Sequence, residues 1–139
     1  NKCIDTDTSL LPTGTISELT QPKVMEKFRL GSNAFDNCFV LSDDVESLDT
    51  RKLKAKKALE VSNLKSNLQL KVYTTEPAFQ LYTGDEIAVK NYGKRSGFAV
   101  ETSRFLGAAT FEKWQRQVIL HKGYLYGAST TYVFSSLDH

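Results

Sequence analysis

Three polar side chains sit inside otherwise apolar, β-type runs, and they are where this chain could do chemistry: Glu101 in GFAVETSRF, Gln80 in PAFQLYTG and Asp36 in FDNCFVL. Glu101 follows the apolar run GFAV. A carboxyl at the end of a buried strand is partly desolvated, which raises its proton affinity and suits a general base. The bland alternative is a strand-end glutamate neutralised by Arg104. Gln80 lies between Phe79 and Leu81, so its carboxamide faces away from theirs. A carboxamide gives and takes hydrogen bonds at once, which matches sugar hydroxyls, although an exposed polar strand face is the commoner explanation. Asp36 sits where a side chain can leave the sheet toward a cleft, or cap its own turn.

Other chemistries lack their residues. Cys3 and Cys38 are far apart in sequence and have no ligand spacing with His121 or His139, so no metal site is expected. Gly93 and Gly97 match neither dinucleotide nor nucleoside-triphosphate loops, and no serine nucleophile elbow occurs. With 18 Lys plus Arg against 16 Asp plus Glu, the formal charge is only +2 and gives no case for nucleic acid or an acidic membrane. No apolar run reaches the ~20 residues that span a bilayer, and the N-terminus has no signal-peptide pattern. Two cysteines and no Asn-x-Ser/Thr acceptor leave a reducing, cytoplasmic setting as the expectation. The chain opens on Asn1 rather than methionine, so residues upstream are expected.

The elements that must position these groups read as strands. Pro12 with Gly14, Pro22, and Gly31–Asn33 mark turns across residues 1–34, with one or two helical turns at Val24–Leu30. Phe35–Leu41 predicts a strand followed by an acidic turn at Ser42–Glu46. Arg51–Val61 tolerates a helix by propensity, yet Leu53, Ala55, Leu59 and Val61 alternate with polar residues. Beyond a polar turn at Asn63–Asn67 the alternation resumes at Leu68, Leu70 and Val72, so a hairpin is the better reading. Pro77 breaks the extended stretch 72–84 into two strands. A polar loop spans Gly84–Gly97, Phe98–Val100 leads into Glu101, and Gln117–His121 and Ser129–Ser135 are further strand candidates around a turn at Gly123 and Gly127. Trp114 is read as core. The pattern is all-β and predicts a β-sandwich in one domain of 139 residues.

Taken together, LQLKVYTTEPAFQLYTG and SGFAVETSRF resemble the carboxy-terminal motifs of the aldose 1-epimerase (galactose mutarotase) family, in which a strand ending VYTTEP, a glutamine before YTG, and SGF before a catalytic glutamate follow in that order. SLLPTG at Ser9–Gly14, FDNCFVL, and the closing QVIL and TTYVFS are similar to family segments as well. The resemblance covers nearly the whole chain but only the last part of the family's domain, so residues 1–139 are expected to be the C-terminal part of one antiparallel mutarotase-like β-sandwich. It implies interconversion of the α and β anomers of a hexose such as galactose or glucose, with no cofactor. Glu101 would be the general base, and Asp36 and Gln80 would hold sugar hydroxyls. In the family the general acid is a histidine upstream of the SLLPTG segment, outside these residues. His121 is read as a surface residue and His139 as tail. The missing N-terminal part of the same domain is then an expected partner. TSRFLGAAT after Glu101 resembles fungal rather than animal members, some of which carry the mutarotase behind a UDP-galactose 4-epimerase domain. A sugar-binding or regulatory module without turnover, or an inactive fragment, are the competing expectations.

Overall fold

A computed structural model describes residues 2–18, 34–43, 45 and 47–137. The turn signals at Pro22 and Gly31–Asn33, the helical turns at Val24–Leu30, and His139 lie outside the described residues. Two antiparallel sheets carry the fold. The first has five strands in the order β2-β1-β3-β6-β7: β1 (Lys2–Thr6), β2 (Pro12–Glu18), β3 (Asp36–Val40), β6 (Ala78–Tyr82) and β7 (Ala99–Ser103). The second has three in the order β4-β5-β8: β4 (Lys56–Asn63), β5 (Leu68–Thr74) and β8 (Thr130–Ser136).

The 56–74 hairpin forms as the alternation predicts, and its turn is held by Asn63, whose Oδ1 accepts the amides of Lys65 and Ser66. Leu53 and Ala55 fall before the strand, and a bulge between Lys57 and Leu59 resets the side-chain period. Pro77 separates β5 from β6, and so carries the chain from the second sheet to the first.

Two expectations are corrected. Pro12 and Gly14 do not make a turn. They belong to β2, where Pro12 opens the strand and Gly14, at φ +85°, sits in the bulge between Ile4 and Thr6, while the turn itself is built by Asp7, whose Oδ1 accepts the amides of Ser9 and Leu11. Gln117–His121 is not a strand. A short helix α1 (Glu112–Gln115) runs into it, and the amides of Val118 and Ile119 bond back to the Gln115 carbonyl, so they cannot join a ladder.

Each face of the five-stranded sheet has its own packing. Phe39, Phe79 and Leu81 point to one side, with Val100, and meet Ala58 and Leu59 of the second sheet. Phe39 and Phe79 stack at 5.3 Å between centroids. Between the sheets Thr130 bonds Thr102 at 2.8 Å, and the Tyr132 hydroxyl donates to the Val100 carbonyl at 3.2 Å. Burying each of these aromatic and aliphatic side chains is worth about 1.5–3 kcal/mol. On the opposite face Ile4, Cys38 and Ala78 are covered by the segment after β7, through Phe105, Ala108 and Trp114. Trp114 meets Phe105 and Phe111 edge-on, both at 5.3 Å, so it fills core as expected.

Candidate functional site

Register brings the three predicted residues together. β6 and β7 pair so that Gln80 stands directly opposite Glu101, and β3 and β6 pair so that Cys38 stands opposite Gln80 and Asp36 opposite Tyr82. Residues facing each other across a ladder share a side, as do residues two apart, so Asp36, Gln80, Tyr82 and Glu101 all project from one face. It is the face that the Phe105–Trp114 segment covers at Cys38 and Ala78. At the other end it is open.

Gln80 Nε2 donates to Asp36 Oδ1 at 2.6 Å, a bond between residues 44 apart in sequence. Its amide oxygen is buried and has no hydrogen-bond partner. Such an acceptor is costly to leave unfilled. Glu101 lies in mid-strand and is exposed, which differs from the desolvated strand end that its apolar approach suggests. The cause is position: β7 is an edge strand of the five-stranded sheet among the described residues. Glu101 makes no side-chain hydrogen bond or ion pair among the described residues. The alternative pairing with Arg104 does not form, because Arg104 is buried and lies 3.0 Å from Glu76 instead.

The loop after β6 borders this face. Asp36, Tyr82, Asp85 and Glu86 line a cleft of about 250 Å³ with Leu10, Ala34 and Phe35. A wider hollow of about 510 Å³ within the 86–97 loop contains none of the three predicted residues and is mostly apolar. The Thr83 hydroxyl donates to Asp85 at 2.6 Å, and Arg95 and Lys94 approach the same carboxylate at 2.7 and 3.4 Å. The Thr83 bond first, and then those two cations, hold the Asp85 carboxyl below the usual carboxylate range. Thr83 also accepts the Phe35 amide, which ties the loop to the start of β3 beside Asp36.

Nothing local marks Asp85 in the sequence, whereas the two-residue spacing from Gln80 puts Tyr82 on the same strand face. His121 is exposed, as expected, with its ring against Tyr124 at 6.4 Å. Cys3 and Cys38 are free and buried, and burial pushes both thiols up, away from reactive thiolates. Among the described residues no group of three or more His, Cys, Asp or Glu could hold a metal ion, and no helix is long and apolar enough to cross a membrane.

Comparison with known proteins decides the family. The aldose 1-epimerase family model matches residues 1–133. This chain belongs to the aldose 1-epimerase family. It is 44% identical over 138 residues to the bifunctional protein gal10 of Schizosaccharomyces pombe, covering 97% of this chain and 19% of that protein. It is 31% identical over 147 residues to the galactose mutarotase of Sus scrofa, covering 93% of this chain and 40% of that protein. A crystal structure of a GalM/aldose epimerase homologue from C. elegans superposes with a TM-score of 0.69 at 17% identity, over 99% of this chain and 44% of that one. The all-β sandwich is therefore of the mutarotase-like type. The chain spans less than half the length of these family members.

Proposed function

We propose that this chain carries the general base and part of the hexose site of an aldose 1-epimerase, which interconverts the α and β anomers of a sugar such as galactose or glucose. The observation behind this reading is the juxtaposition on one open face of a carboxylate without a partner, Glu101, and directly across the ladder a Gln80 whose amide oxygen is unfilled and whose amide nitrogen is held by Asp36. In this reading Glu101 takes the proton from the anomeric hydroxyl while an acid protonates the ring oxygen. The C1–O5 bond breaks as the C1 carbonyl forms, the aldehyde end rotates, and the reverse transfer closes the other anomer. Acid and base must act across the same C–O bond, so the second group lies on residues beyond these, as part of the same domain. Asp36 and Gln80 hold ring hydroxyls, with Asp36 accepting and Gln80 both accepting and orienting.

The test is anomer interconversion by the full-length protein, followed by polarimetry from pure α-galactose. Glu101→Gln is expected to remove nearly all turnover and leave the melting temperature in place. Unchanged rates in that variant would sink the base assignment.

A further inference from the structure

Just beyond β7 lies a second polar cluster, whose ion pair is buried where the first site is open and whose third member, Tyr126, is 53% exposed. Arg104 and Glu76 are 7% and 4% exposed, and Arg104 Nε lies 3.0 Å from Glu76 Oε2, paired by charge without hydrogen-bond alignment. The other carboxylate oxygen of Glu76 accepts the Tyr126 hydroxyl at 2.7 Å. Arg104 Nη2 donates to the Leu48 carbonyl at 2.8 Å, and the guanidinium lies 5.3 Å from the centroid of the Tyr126 ring. Burial first, and then the bond to Glu76, push the Tyr126 hydroxyl up, so it stays a donor.

The two charged residues occupy informative places. Glu76 is two residues before β6, and Arg104 is the residue after β7. The ladder begins there, with Ala78 opposite Ser103, and continues by way of Phe79 and Thr102 to Gln80 and Glu101. A buried ion pair is a poor source of net stability, since desolvating both charges offsets most of their attraction. What it enforces is geometry, because a shifted register would strand both charges without partners. β7 needs such a device, being an edge strand among the described residues, with a neighbour on one side.

We propose that Arg104 and Glu76, with Tyr126, form a clamp that sets the register of β7 on β6 and so positions Glu101 across from Gln80. They are positioning residues that touch no sugar. The effect on catalysis rests on the mutarotase reading above; the effect on strand register does not.

Polarimetry and amide hydrogen exchange on the full-length protein test it, with wild type beside Glu76→Gln and the double variant Glu76→Gln/Arg104→Gln. Misplacing a reacting group by about 1 Å can cost on the order of a hundredfold, so both variants are expected to lose about tenfold to a hundredfold in kcat, with KM moving by less than about twofold. Amides of Val100 to Thr102 should exchange faster than in wild type in both. The double variant, freed of its stranded charge, should regain melting temperature and stay slow. Should Glu76→Gln fail to fold, Tyr126→Phe removes one hydroxyl and is expected to show the same pattern at about fivefold.

Wild-type kcat together with wild-type exchange at β7 in folded variants would overturn the clamp, and so would recovery of kcat in step with melting temperature in the double variant. If wild type fails to interconvert anomers, the mutarotase reading falls, and exchange at β7 still decides the clamp: faster in the variants upholds it, unchanged overturns it.

Discussion

The same face of the same sheet ends in two different ways. At one end Cys38 and Ala78 lie under Trp114, Phe105 and Ala108, dry and close-packed. Toward the other, Gln80 of β6 and Glu101 of β7 share the rung of Cys38, Asp36 of β3 stands one rung further along, and the side chains of Asp36 and Glu101 are exposed. β3 has Cys38 and Asp36, and β6 has Ala78 and Gln80. The strand period puts core and site side by side, and the Phe105–Trp114 segment decides which is which. This arrangement gives the candidate site a rigid floor, since the polar residues inherit the register of a packed core.

The sharpest way to break that comparison is to change one end and read both. The largest effect is expected from Glu101→Gln at the open end: turnover falls by about 10² to 10⁴, the range of one general base, while the melting curve stays in place. Loss of stability instead would make Glu101 a packing residue. At the covered end Trp114→Ala should do the opposite, costing about 3–5 kcal/mol in chemical denaturation for the loss of a buried aromatic. If that variant melts like wild type, the Phe105–Trp114 segment is not the cover described above. Asp36→Ala should be smaller, weakening galactose binding by about 1–3 kcal/mol through a raised KM, because Gln80 loses the acceptor that orients it. Equal losses in kcat and KM terms would place Asp36 in the chemistry itself.

The smallest effect belongs to neither end. The Asp49 carboxyl drops from its ordinary 3.8 to about 2, chiefly through the side-chain bond from Arg51 and then the Arg51 amide. With the folded value depressed, its contribution is complete above the ordinary value and is lost as pH falls from 3.8 toward 2. The pair is exposed and screened by salt. Asp49→Asn should lower the neutral-pH melting temperature slightly, flatten the acid limb of the stability profile by the same small amount, and leave turnover unchanged.

Strand identity was legible wherever alternation and breakers agreed. Leu68, Leu70 and Val72 announce β5, Pro77 marks the crossing between sheets, and the Phe79-Gln80-Leu81 alternation gives the correct face. Local pattern failed at Gln117–His121, where Val118, Ile119 and Leu120 look like a strand, but the Gln117 side chain, 3% exposed, accepts the Phe105 amide and the chain turns back on Gln115. Apolar, β-branched composition does not make a strand when its amides are already committed. Gly14 misled in the same way, since a positive φ serves a bulge as well as a turn.

By itself the sequence determined that the fold is almost wholly β and which residues alternate into its faces, because side-chain period and proline are local properties. Through its motifs it also carried the family. It could not determine that Glu101 faces Gln80, that Gln80 is held by Asp36, or that Arg104 answers Glu76 rather than Glu101. Those depend on pairings between strands far apart in the chain, and a ladder's register is a collective result of everything packed on both faces. Only the tertiary structure decided it, and with it decided which polar residues are buried as a clamp and which are left open for a ligand.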